Sequence, residues 1–151
     1  MDNEYIWSKG PFSNDYSQQT KLVPSKQNQI LSQIKIANMT GIAWIKNGDT
    51  AKVCDLIMFY QNIKHLQHSV ILITTDGVRP MPSSFPKGLV ISLLEHPRIL
   101  AWRTQNYDGT IIHRKLKRMP IGFDLHNPRT FLDGKGQMNK FSEILRIRKN
   151  Y

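Results

Sequence analysis

Three polar turns carry the side chains best suited to chemistry: Thr74-Thr75-Asp76, Gln105-Asn106 and Gly122-Phe123-Asp124. Each follows a short apolar, β-prone run. In an open parallel sheet the carboxyl ends of the strands converge on one edge, so turns far apart in sequence can share a cleft there. The competing reading is that Asp76, Asn106 and Asp124 are turn residues whose side chains hydrogen-bond nearby backbone.

Other kinds of site lack candidates. His65 and His68 are three apart but have no cysteine or carboxylate pair in matching register, so no metal centre is expected. Neither a Walker phosphate loop nor the three-glycine dinucleotide fingerprint occurs, which argues against a nicotinamide or flavin cofactor. No serine is flanked as a nucleophile elbow, and the single cysteine, Cys54, falls inside an apolar helical pattern that predicts a buried thiol.

The elements that would position these turns read as α/β. Gly41 to Lys46 is short, apolar and closed by Asn47-Gly48-Asp49, as expected of a buried strand ending in a turn. A helix follows, capped by Asp49 or Thr50, with Val53, Leu56, Ile57 and Tyr60 on one face. Ser69 to Thr75 is almost continuously apolar, the habit of a strand covered on both sides in a parallel sheet. Gly77 to Lys87 holds three prolines and predicts a loop. Leu89 to Glu95 is helix or strand and must stop before Pro97. Strands are expected at Ile99 to Thr104 and Leu116 to Ile121, and an amphipathic basic helix at Met138 to Ile147. The order predicts one Rossmann-like three-layer α/β domain over residues 39–151, with a small, mostly parallel sheet. Residues 1–38, rich in Gln, Asn, Ser and Lys, read as an irregular polar arm with one helix near Gln27 to Ile36.

Composition bounds the class of protein. A chain of 151 residues, 40% hydrophobic and 21% charged, predicts one soluble globular domain. No run approaches the roughly 18 apolar residues of a membrane span, and no basic start precedes an apolar stretch, so a cytoplasmic protein in a reducing compartment is expected. The net charge of +10 is concentrated late: residues 111–151 hold ten Lys or Arg against Asp124, Asp133 and Glu143. Such a field attracts nucleic acid, nucleotide phosphates, acidic glycans or an acidic protein. Arg114, Lys115, Lys117 and Arg118 beside Trp102 and Tyr107 offer cations and rings for phosphates and stacked bases, although no named nucleic-acid motif is present.

The most distinctive stretch is Glu95 to Pro128. Its end, KLKRMPIGFDLHNP, resembles the junction closing the first Rossmann-like domain of two-domain glycosyltransferases. With Trp102, Gln105, Asn106, His113, Lys115, Pro120, Ile121 and Gly122, and a threonine-rich strand ending in Asp76, the chain resembles exostosin-like or viral-type glycosyltransferases over residues 42–128. That resemblance implies transfer of a sugar from a nucleotide sugar to a glycan acceptor hydroxyl. Asp76 would be the general base, and Asn106 and Asp124 would position the acceptor. Gln105, His113, Lys115, Gly122 and His126 would bind substrate, the imidazoles and Lys115 facing anionic groups. The 23 residues after Pro128 are too few for a donor-binding domain. A reduced phosphate site in the basic C-terminal region, a partner chain completing the site, or loss of catalysis is the expected resolution. The alternative reading is a nucleic-acid-binding or virion-associated structural protein without enzymatic activity.

Overall fold

Parallel pairing needs strands buried enough to do without solvent and connections long enough to return to the same edge. The computed structural model, which describes residues 26–47 and 55–120, shows how this chain supplies both. Helix α1 spans Lys26–Thr40, strand β1 Ile42–Lys46, helix α2 Asp55–Gln61, β2 Val70–Thr75, helix α3 Lys87–Glu95, β3 Ile99–Thr104 and β4 Leu116–Arg118. The strands form an all-parallel sheet in the order β1-β2-β3-β4. This is the α/β, Rossmann-like class that the order of apolar runs predicts.

Helix α1 runs further than the Gln27 to Ile36 segment expected within the polar arm. Ile30, Ile34 and Ala37 recur at helical spacing and are buried in the hydrophobic core with Trp44, Phe59 and Leu66. Its ends are tied down by an ion pair from Lys26 to Asp55 at 3.3 Å and by Asn38, whose side chain bonds His65 O at 3.0 Å and the Gln67 amide at 2.8 Å. In α2 the buried positions are Asp55, Leu56 and Phe59, while Ile57 and Tyr60 are half-buried, so the inward face is rotated from the expected one. Asp49, Thr50, Val53, Cys54 and the helix expected at Met138 to Ile147 lie outside the described residues.

The stretch Leu89 to Glu95 resolves as helix. It ends at His96, whose extended backbone (ψ 132°) is what Pro97 demands of the residue before it. Strand β4 is shorter than expected. Its pairing follows β3 from Trp102 to Thr104, the Met119 amide makes one more bond to Thr104 O at 2.8 Å, and Pro120 then has no amide to offer.

Register sorts the sheet into two faces. Leu72, Thr74, Trp102, Thr104 and Leu116 lie on one, all buried. Trp44, Ile71, Ile73 and Thr75 lie on the other, where Ile71 stays 39% exposed. A bulge in β3 leaves Leu100 without a β2 partner and 60% exposed.

Each buried indole finds a threonine at the end of β2. Trp102 Nε1 donates to Thr74 Oγ1 at 2.9 Å, and Trp44 Nε1 donates to Thr75 Oγ1 at 2.8 Å from the opposite face. Thr74 Oγ1 donates to Thr104 Oγ1 at 2.6 Å, and Thr104 Oγ1 donates to Gln105 O at 2.9 Å. The chain from indole to carbonyl is fully satisfied, which a polar network this deeply buried requires. Thr74→Val keeps the shape of the side chain but strands the indole N–H and removes the donor to Thr104. It is expected to cost about 1–3 kcal/mol by urea denaturation, with Thr74→Ser losing clearly less.

Candidate active site at the carboxyl edge of the sheet

With all strands parallel, the residues just after β1, β2, β3 and β4 meet along one edge: Asn47, Asp76, Gln105 and Met119. Asp76 and Asn106 have left-handed backbone, φ 57° and 54°. Aspartate and asparagine adopt this conformation more readily than other non-glycine residues, so both are suited to turning the chain out of its strand.

Side chains knit the two turns together. Gln105 Oε1 accepts the Asp76 amide at 3.1 Å, the Gln105 amide donates to Thr74 O at 3.0 Å, and Asn106 Nδ2 donates to Gly77 O at 2.8 Å. Asp76 Oδ2 pairs with Lys46 Nζ at 3.4 Å, with both side chains largely shielded from solvent. Gly77 is required by close approach: a Cβ there would stand 2.6 Å from Asn47 Cβ and 2.8 Å from its carbonyl carbon. Asn47 is 1% exposed, and its side-chain amide finds no hydrogen-bond partner among the described residues.

The loop after β2 is laced to the loop after β3. Met81 N donates to Asn106 O at 2.9 Å, and Asp108 N donates to Met81 O at 2.7 Å. The Asp108 carboxylate accepts the Ser83 amide at 3.2 Å and the Thr110 amide and hydroxyl at 3.0 and 2.8 Å. Desolvation pushes this carboxyl up, but the hydrogen bonds from Ser83 and Thr110 together outweigh it and hold the group at about 2. Beside the laced loops opens a cleft of about 340 Å³ lined by Asn106, Tyr107, Arg118, Met119 and Pro120. Arg118 Nη2 donates to Tyr107 O at 3.3 Å across it.

The sequence-predicted site residues therefore divide. Asp76, Gln105 and Asn106 come together on this edge, Asn106 reaching the cleft and Gln105 buried at 3% exposure beneath the turn. His113 and Lys115 do not join them. They precede β4, Lys115 Nζ bonds His96 O at 3.3 Å, and His96 itself precedes β3, so both belong to the amino edge. Gly122, Asp124 and His126 lie outside the described residues. Trp102 is fully buried with its indole N–H on Thr74, so it offers no ring for a base to stack on. Lys46, Arg118 and Asp108 were missed. Lys46 is the last residue of its predicted strand, a position the parallel-sheet rule marks for the same edge, whereas Arg118 falls inside the strand expected at Leu116 to Ile121 and reaches the edge because β4 ends there. Nothing in the sequence distinguishes Asp108 from an ordinary turn aspartate.

Among the described residues there is no group of three or more His, Cys, Asp or Glu side chains arranged to hold a metal ion, and no helix long and apolar enough to cross a membrane. Comparisons with protein-family models, curated proteins and solved structures return no match for this chain.

Two outcomes test this geometry. Gly77→Ala forces Asn47 backbone to move and should destabilise by about 1–3 kcal/mol in chemical denaturation. The Asp108 contribution should be present above the ordinary carboxyl value of 3.8 and fade as pH falls toward 2, because protonation costs more in the folded state. Acid titrations of wild type and Asp108→Asn should accordingly differ most above pH 3.8 and converge at the acid end.

Proposed function

We propose that this chain is a glycosyltransferase-like domain whose carboxyl edge binds a glycan acceptor and holds the base for sugar transfer from a nucleotide sugar. The observation that carries this reading is the pairing of Asp76 and Asn106 at the ends of neighbouring strands, joined through Gly77 and bordered by a cleft. The resemblance of residues 42–128 to exostosin-like and viral-type glycosyltransferases gives that pairing its chemistry.

In this mechanism the acceptor hydroxyl attacks the sugar carbon and gives its proton to the Asp76 carboxylate. The bond from the sugar carbon to the phosphate oxygen breaks, and the nucleoside diphosphate leaves with the electron pair. Lys46, 3.4 Å from Asp76, holds the carboxylate toward the edge and moderates its charge. Asn106 orients the acceptor from a side chain already fixed to Gly77, and Arg118 supplies a cation to the cleft. A nucleotide sugar enters as co-substrate, with a partner chain as one way to complete its binding.

Asp76→Asn is the decisive substitution, since asparagine tolerates the same left-handed backbone and the fold should persist. Sugar transfer, followed with a panel of nucleotide sugars and simple glycan acceptors, should fall by about 10²–10⁴-fold with the melting temperature little changed. Arg118→Gln should weaken the thermal shift produced by the productive ligand. If no nucleotide sugar or glycan shifts the melting temperature at millimolar concentration, the reading is wrong.

A further inference from the structure

The opposite, amino edge of the sheet carries a repeated turn that the carboxyl-edge site does not use. His96-Pro97-Arg98 leads directly into β3, and His113-Arg114-Lys115 leads directly into β4. The two have the same hydrogen-bond pattern. His96 Nδ1 accepts the Arg98 amide at 3.1 Å, and His113 Nδ1 accepts the Lys115 amide at 3.1 Å. The Ile99 amide donates to His96 O at 3.0 Å, and the Leu116 amide donates to His113 O at 3.0 Å.

Because each Nδ1 is an acceptor, each neutral ring carries its proton on Nε2 and presents it as a donor. A cation stands two residues on in both cases. Lys115 Nζ reaches back to His96 O at 3.3 Å and couples the turns, while Arg98 Nη1 anchors to Gln67 O at 2.9 Å. Arg98 and Arg114 are exposed. Burial, then the charges of Lys115 and Arg98, lower the affinity of His96 for a proton, so this half-buried ring is held as a neutral donor framed by cations. His65 and His68, both exposed on the segment before β2, extend the same edge.

We propose that the paired His-x-Arg/Lys turns bind the phosphodiester backbone of a nucleic acid strand. Neighbouring parallel strands are about 4.8 Å apart, so the two turns offer imidazole N–H and cationic donors in a row that follows one backbone. Phosphates are met by such donors without base readout. The groups stand on exposed turns rather than in an enclosed pocket, and the chain has a net charge of +10, which suits a polymer held at several points better than a lone small anion. Trp102 being buried, binding by this edge is expected to be insensitive to base sequence.

The test is fluorescence-anisotropy binding of labelled oligothymidylate to the full chain at several salt concentrations. Two double variants are compared: Arg98→Gln with Arg114→Gln on this edge, and Lys35→Gln with Lys87→Gln on α1 and α3, which removes the same charge from exposed positions elsewhere. The edge variant should bind more weakly and lower the slope of log affinity against log salt by about 1.4, roughly 0.7 for each phosphate of a single strand that is no longer neutralised. The control variant should keep the wild-type slope. Since Arg98 also anchors to Gln67, the single Arg114→Gln variant decides the matter if the double variant melts early, with a slope lower by about 0.7. Equal effects of the two doubles, or wild-type binding by Arg114→Gln, would overturn the proposal. So would polyglutamate competing as well as unlabelled oligothymidylate, since the edge would then be a generic cationic patch.

Discussion

The last two residues of β2 are held from both sides of the sheet. A buried indole N–H must be given a partner, and in this fold the partners are the adjacent hydroxyls of Thr74 and Thr75, one facing each way. A slip of β2 by one residue would turn each threonine to the wrong face and leave both tryptophans unsatisfied. The register of the central strand, and hence the point at which the chain leaves it, is fixed by these two bonds. Asp76 comes next. Its left-handed turn, its ion pair with Lys46 and the tight approach of Gly77 to Asn47 all inherit their positions from that clamp.

The same arrangement extends to β3. Thr104 is bonded to Thr74 through their hydroxyls, so the ends of the two strands are aligned and Gln105 and Asn106 can reach across to the Asp76 amide and Gly77 O. Loops beyond the strands are then laced by Met81 and Asp108, leaving a cleft edged by Tyr107 and Arg118. The two edges of the sheet differ in character. A carboxylate paired with a lysine marks the carboxyl edge, whereas the histidines of two matching turns mark the amino edge, the length of the strands away.

Much of this was legible in the residues. The apolar runs ending at Thr75 and Thr104 give β2 and β3 almost to the residue, because strands with one face wholly in the core and the other partly covered leave a nearly continuous apolar signature and polar turn residues stop it sharply. Pro97 marks the end of α3 for a steric reason independent of context. The convergence of Asp76, Gln105 and Asn106 follows from parallel pairing alone. Helix α1 was underestimated because its buried face includes Gln29 and Gln33 beside Ile30 and Ile34, and two glutamines disguise an inward stripe as a polar segment. Grouping His113 and Lys115 with Asp76 failed for a different reason: they precede their strand instead of following it, and a run of basic residues does not announce where the strand begins. The lacing by Asp108 depends on which loops become neighbours, which only the folded topology decides.

Hydrogen exchange at the indole nitrogens tests the clamp most directly. In a ¹⁵N-labelled sample the Nε1 protons of Trp44 and Trp102 should exchange only through global unfolding, as slowly as the central amides of β2, since both rings are fully buried and bonded to threonine. Rapid exchange of either indole while those amides stay protected would show that the threonines do not hold the tryptophans. The carboxyl edge would then need another origin for its geometry.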